Sequence, residues 1–378
     1  MRMPRDLITL LLPLLAPFMV ANAEVIHLRD GAASVDAVRV AFVPGGLELV
    51  TSSGENLRFA LDQVARIEDL TDPILIDQWT QLQEPARDVW RARTRLQRGD
   101  PELARALFQR HFSPRTGDEG DHEFALIIAE GLLRCLLDSG ETEAILPAAL
   151  ETIRLRRAGL TTDRYRDLPV MIDERSWLIP HLPPIATNDL SMNRLSEELR
   201  HWRIDSDPFV SRLAELYASM DRRSVRPSGS SEFGVILMEA ILGSRSLDAG
   251  LRRDALKTLE ELSSLDDAPG FIEAWQIWFG ATSELASGEV EIDRILLDLL
   301  ELPAVHQGSY PVLARRAIEL SARVLAGEGR QEESATLRRI LQESTRKVPP
   351  VLTPRLLPLD ESRGPASNST TDLETENE

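Results

Sequence analysis

The sequence predicts a mainly α protein, an irregular helical-repeat array preceded by a small antiparallel β module. Three observations carry this. Between Glu24 and Leu70, short alternating segments are separated by turn residues at roughly 8–12-residue spacing, the signature of short antiparallel strands. From Pro73 onward the apolar period changes from 2 to 3.6, outside one proline-bearing stretch at 163–189. Successive helical stretches then stop at glycines such as Gly99, Gly140 and Gly159, which mark the ends of helices in a chain of short, paired segments.

The first 23 residues read as a signal peptide. Arg2 and Arg5 make a basic start, Leu7 to Val20 is apolar, and Ala21-Asn22-Ala23 gives the small-x-small pattern cleaved after Ala23. That run of fourteen residues, broken by Pro13 and Pro17, is shorter than the roughly 20 needed to span a bilayer as a helix. The expectation is an exported mature chain beginning at Glu24, periplasmic or secreted, with no membrane span once the leader is removed.

The β module covers residues 24–72. Strands are expected at Val25–Leu28, Val38–Val43, Leu47–Val50, Leu57–Phe59 and Val64–Ile67. Arg29-Asp30-Gly31, Pro44-Gly45-Gly46 and Ser52-Ser53-Gly54-Glu55 supply the turns. Its spacing resembles SH3-type or PRC-type mini-barrels. So small a module is marginal alone and should lean on the helices that follow.

A helical domain is expected over 73–226. In its first helix Trp79, Leu82, Ala86, Val89, Trp90, Arg93 and Leu96 share one face. Pro101 suits the first turn of the next, which should bury Leu103, Ala104, Leu107 and Phe108. Helices are then expected at Phe124–Leu137, Thr142–Arg157, Met192–Trp202 and Pro208–Arg222. The polar run Arg226–Ser231 is the best internal linker, and a second helical block, 227–347, follows. Its helices should lie at Glu232–Leu242, Ala249–Leu262, Gly270–Leu285, Ile292–Leu300, Tyr310–Gly327 and Gln331–Glu343. Phe271, Trp275, Trp278 and Phe279 form a stripe that reads as core. The tail, 348–378, carries Pro349, Pro350, Pro354 and Pro358 and then turns acidic, a composition expected to stay disordered.

The formal charge is −18, and removing the leader's two arginines and one aspartate leaves −19. A field of that sign disfavours nucleic acid and anionic membrane surfaces as partners. The single cysteine, Cys135, excludes an intrachain disulfide and reads as a small buried thiol.

Trp90 to Phe112 resembles a tetratricopeptide-type helix pair. Gly99 occupies the turn, Ala104 follows as the small packing residue and Phe108 as the large one, with Trp90 on the first helix. Poorer echoes centre on Gly140, with Ile145 and Ala149, and on Gly329, with Ser334 and Arg338. The interval from Gly99 to Gly140 departs from the 34-residue TPR period, so the resemblance is to TPR-like or HEAT-like stacking in general. The layout also resembles exported bacterial proteins of unknown role that join a short β module to helical repeats. Such a resemblance implies a curved surface for binding another protein, and it implies no catalytic residue.

Motifs for chemistry are missing. The six histidines are scattered, one cysteine forbids cysteine-based zinc sites, and no phosphate loop, dinucleotide loop or nucleophile elbow is present. No metal and no cofactor are therefore expected. Asp118–Glu123 reads as a solvated acidic loop, and the arginine runs Arg91–Arg95 and Arg154–Arg157 read as solvated helix faces with i, i+4 pairing.

One stretch stands apart. Residues 163–189 contain Pro169, Pro180, Pro183 and Pro184, with Tyr165, Asp173, Glu174, Trp177 and His181 between them. A non-helical stretch of that length inside a compact domain is uncommon, and its apolar content argues for order. It is expected to run extended across the helices, lining a concave face, with those five residues as the candidate partner-binding set. The favoured reading is a non-enzymatic protein mediating protein–protein interaction or scaffolding in the cell envelope, its oligomeric state left open. The alternative is a hydrolytic, glycan-acting enzyme using the carboxylates of Asp173 and Glu174. Adjacent residues of extended chain point to opposite sides, which weighs against that pair.

Overall fold

The computed structural model describes residues 24–29, 31–114, 121–139, 142–185, 195–220, 225, 227–287 and 291–347. The leader 1–23, the acidic tail 348–378 and residues 118–120 of the acidic loop expected at 118–123 lie outside these residues, as does Gly140. The chain divides into two compact units, Met1–Glu84 and Pro85–Glu378.

In the first unit the expected strands are present: β1 (Glu24–Leu28), β2 (Val35–Val43), β3 (Gly46–Thr51), β4 (Asn56–Ala60) and β5 (Val64–Glu68). They form one antiparallel sheet in the order β4-β3-β2-β1-β5. Val43 opposite Gly46 leaves Pro44 and Gly45 as a two-residue turn, and Gly45 at φ +73° takes the left-handed position that glycine occupies without strain. The alternation puts Ile26, Ala37, Val40, Leu47, Leu49 and Val64 on one buried face. Trp79, from the helix that follows, closes this core and stacks on Phe42 with ring centroids 6.2 Å apart. A 3₁₀ turn at Leu61–Gln63 joins β4 to β5, held by Gln63 Oε1 accepting from Ala60 N at 2.9 Å.

Helix α1 (Pro73–Gln97) contains Pro85, whose missing N–H cannot bond the carbonyl four residues back. The division between the units falls at this residue.

The second unit holds the rest of α1 and then α2 (Pro101–His111), α3 (Glu123–Ser139), α4 (Thr142–Arg157), α5 (Pro208–Tyr217), α6 (Phe233–Gly243), α7 (Ala249–Ser263), α8 (Phe271–Ser287), α9 (Ile292–Val305), α10 (Pro311–Gly327) and α11 (Gln331–Lys347). From α2 onward each helix packs on the next. The aromatic stripe of α8 is core, with Phe271, Trp275, Trp278 and Phe279 all buried. Cys135 is buried on α3.

Two expectations fail locally. Leu103 is 58% exposed, because Pro101, Ala104 and Phe108 define the inward stripe of α2 and Leu103 lies off it. Of the helix expected at Met192–Trp202, residues 192–194 lie outside the described residues, 195–198 are helical, and the helix stops short of its expected end, with Trp202–Ile204 tightened to 3₁₀. Trp202 is buried there with its indole N–H on Glu151, so tertiary bonding sets the local backbone.

The role of Trp79 is directly testable. Trp79→Ala should cost about 3–5 kcal/mol at this small core. Amide exchange should then accelerate across 35–43 and 46–51 while 123–137 keeps its protection; unchanged protection of the strands would refute the role.

Candidate functional site

The proline-bearing segment, described over 163–185, contains neither helix nor strand. Prolines remove N–H donors and bias their preceding residues away from helix, so its carbonyls need donors from elsewhere. Side chains of the surrounding helices provide them. Arg134 Nη1 on α3 donates to Pro169 O at 2.9 Å, Trp275 Nε1 on α8 to Pro180 O at 3.1 Å, and Tyr217 OH on α5 to Leu182 O at 3.1 Å. In return the Tyr165 hydroxyl donates to Ile127 O on α3 at 2.6 Å. The segment is thus bonded to helices far apart in sequence.

Its sharpest feature is a turn at 173–178. Asp173 Oδ2 accepts from Ser176 N at 2.7 Å and Ser176 Oγ at 2.6 Å, and Asp173 N donates to Leu178 O at 2.9 Å. Trp177 adopts φ +57°, unusual for a bulky side chain. Ser176 O presses against α6 at Gly234, where an added Cβ would stand 1.9 Å from that oxygen. Gly131 on α3 plays the same part for Phe108 and Tyr165, each with an atom 2.4 Å from where its Cβ would be.

The five expected site residues therefore do not converge on one point. Tyr165 is buried on α3 under the Arg134 guanidinium, 5.1 Å from its ring centroid. Trp177 is half-buried beneath Arg157, which also covers Phe209 at 4.3 Å and bonds Asp207 at 2.6 Å. Asp173 is committed to its own turn, whereas Glu174 is exposed. His181 lies 6.0 Å, ring to ring, from Tyr310, which is in turn 6.0 Å from His306. Burial, and behind it the charges of Asp173 and Glu273, push the Tyr310 phenol above its ordinary value. Burial alone holds the His181 imidazole down to about 4. Tyr310 follows Asp173 by more than a hundred residues, and no local motif connects them.

The run Arg154–Arg157 corrects another expectation, that of a solvated face. Arg154 is 6% exposed and held between Glu151 at 2.8 Å and Asp121 at 2.6 Å. Arg156 reaches Glu130 at 2.6 Å, and Glu130 also binds buried Arg134 at 2.7 Å. Glu151–Arg154 and Glu130–Arg134 are local pairs within one helix, whereas Asp121 and Glu130 reach Arg154 and Arg156 from outside α4, so this face is internal and bonded across elements as well as along the helix. Removing one member of such a buried pair leaves an uncompensated charge.

An open groove lies elsewhere in the same unit, with a volume of about 570 Å³. Its floor is the face of α8 that carries Ile277, Gly280 and Ala281. One wall is α7, with Arg253, Leu256, Lys257 and Glu260; the other is α9, with Asp298 and Glu301, and Glu284 stands at the edge of the floor. Glu284 is bonded to Arg294 at 2.9 Å and Lys257 lies 3.5 Å from Glu261. Among the described residues no ion pair involves Arg253, Asp298 or Glu301. A Cβ added at Gly280 would meet nothing within 4 Å. The sequence reading missed this groove, because α7 shows the same amphipathic period as its neighbours while burying little beyond Leu259. Among the described residues no three His, Cys, Asp or Glu side chains gather as metal ligands, and no helix is long and apolar enough to cross a membrane.

Two outcomes test this geometry. Gly234→Ala should destabilise the protein by about 2 kcal/mol or more through overpacking against Ser176. Gly280→Ala, a helical glycine facing open space, should be neutral or stabilising by about 0.5–1 kcal/mol. Equal effects in chemical denaturation would contradict the contrast. For His181, the unfolded chain binds its proton first, so the stability is present above about pH 6.5 and is lost as pH falls toward about 4. The loss between pH 7 and pH 5 should be about 2 kcal/mol, and His181→Gln should remove it. Parallel pH dependence in both proteins would exclude His181 as the source. Compared with known proteins, the chain matches no protein-family model, no curated protein and no solved structure.

Proposed function

We propose that this is an exported, non-enzymatic helical-repeat protein of the TPR-like kind that binds another protein in the cell envelope. One observation carries the reading: helices packed each on the next leave a three-helix groove with an apolar floor and charged walls. A surface of that kind suits a partner's amphipathic segment, with apolar contact for affinity and flanking charge for orientation. Segment 163–185 contributes by holding the array together, its exposed residues, Val170 and Glu174 among them, being the part open to a partner.

The repeat character draws support from α1 and α2. Gly99 turns the chain at φ +85°, and Ala104 and Phe108 are fully buried where the resemblance expects a small and a large packing residue. The turn is repeated at Gly329, φ +78°, followed by Ser334, which is buried and donates to Ala322 O at 2.7 Å. Export is supported by the basic start, apolar run and small-x-small site of residues 1–23.

Photo-crosslinking in intact cells tests this. A photoreactive residue in place of Leu256, on the groove wall, should give a discrete adduct with another envelope protein, and one in place of exposed Arg338 on α11 should not. The chain recovered from the envelope should begin at Glu24 by intact mass. Identical adduct patterns from both positions, or an uncleaved chain in the cytoplasm, would defeat the reading.

A further inference from the structure

The groove's two walls carry opposite charge, and that asymmetry says more than that something docks there. Arg253, Lys257 and Glu260 line it from α7, net positive, and Asp298 and Glu301 from α9, with the α8 floor and its Glu284 between them. Arg253, Asp298 and Glu301 take part in no ion pair among the described residues. Lys257 has only an exposed i, i+4 contact with Glu261 at 3.5 Å, a kind of pair worth a few tenths of a kcal/mol and easily given up. An occupant must therefore bring acid to the α7 side and base to the α9 side. It must also bring an apolar edge to the floor, where Gly280 leaves open space.

A second copy of this chain meets all three demands with the same residues. A two-fold interface is isologous: if a patch of one copy touches a second patch of the other, the reverse contact follows by symmetry. A basic wall and an acidic wall either side of one groove are complementary under that operation. We infer that, where no other protein fills the groove, the protein self-associates through it, α7 of each copy lying along α9 of the other. Arg253 and Lys257 then face the partner copy's Asp298 and Glu301, and Leu256, 37% exposed in the single chain, covers the Ile277–Gly280 floor. Glu260, on the same α7 wall, sets register, because sliding α7 along α9 would bring it against the carboxylates. This inference rests on reading the array as a docking surface, but it fails separately from the proposal that another protein docks.

The test is the mass of the purified full chain by light scattering and sedimentation, from low to high micromolar concentration. The parent should approach dimer mass. Arg253→Glu with Lys257→Glu should weaken dimerisation by about tenfold or more, and Asp298→Lys with Glu301→Lys should do the same, since like charges then oppose. All four changes in one chain should restore it to within about threefold of the parent, because opposite charges face again. Gly280→Trp, which fills the floor where a Cβ meets no neighbour, should give a monomer whose unfolding midpoint matches that of the parent diluted until it too is monomeric. A monomer at every concentration, two weakened walls with no rescue by the four-fold change, or a Gly280→Trp chain as dimeric as the parent would each overturn the inference. A monomer that still crosslinks another protein from Leu256 would sink self-association and leave the proposed function standing. A dimer that crosslinks only itself would do the reverse.

Discussion

A buried stretch of chain without regular structure must find hydrogen-bond donors for its carbonyls, since each one left bare costs about 1–3 kcal/mol. In this protein that demand falls on residues 163–185, and the helices around them are fitted to meet it. Arg134, Tyr217 and Trp275 each spend a donor on the segment, from α3, α5 and α8. Their own charges and rings are held in turn: Arg134 by Glu130, and Trp275 edge-on to Phe271 with centroids 4.8 Å apart. A linear array whose helices touch only their sequence neighbours has little to couple its distant parts. The segment supplies that coupling, because it bonds helices that do not otherwise meet in sequence order.

The same demand explains the glycines. Ser176 can bring its carbonyl onto α6 only because Gly234 has no Cβ, and Tyr165 can enter beside Phe108 only because Gly131 has none. The left-handed backbone at Trp177 closes the turn that presents Ser176, and Asp173 binds that turn from inside. Asp173 is thus spent on structure. The carboxylate that a catalytic reading would need has its Oδ2 filled by Ser176, with Glu174 on the solvent side.

Much of this was legible in the residues. The strands of the β module follow from alternation and turn chemistry, and most helices begin and end within a few residues of their predicted limits, because period and glycine stops are local signals. What was not legible depends on partners distant in sequence. Arg154 to Arg157 look like a solvated face until Asp121, Glu130 and Asp207 are brought to them from other elements. The helix predicted to run to Trp202 stops at 198, and Trp202 sits in a 3₁₀ turn with its indole on Glu151. Leu103 looks like core because an apolar residue beside an inward stripe fits the period almost as well as one on it. The groove on α8 was hidden for a related reason: whether an amphipathic face is covered depends on which neighbour lies over it, and α7 leaves much of its face open.

The chain also manages its acidity unevenly. Four of the buried carboxylates are met by arginine: Asp88 by Arg110, Glu130 by Arg134 and Arg156, Glu151 by Arg154, Glu239 by Arg212. Arginine suits that task because its planar fork bonds two oxygens at once and is less costly to dehydrate than an ammonium group. At these four sites buried charge is neutralised locally, and the chain as a whole keeps a formal charge of −18. A strongly negative surface resists self-association unless charge is sorted within it. The α7 wall, where Arg253 and Lys257 stand opposite the acidic α9, is a place where such sorting is visible. Attraction confined to one groove, on a molecule otherwise repelling its own kind, gives association a single orientation.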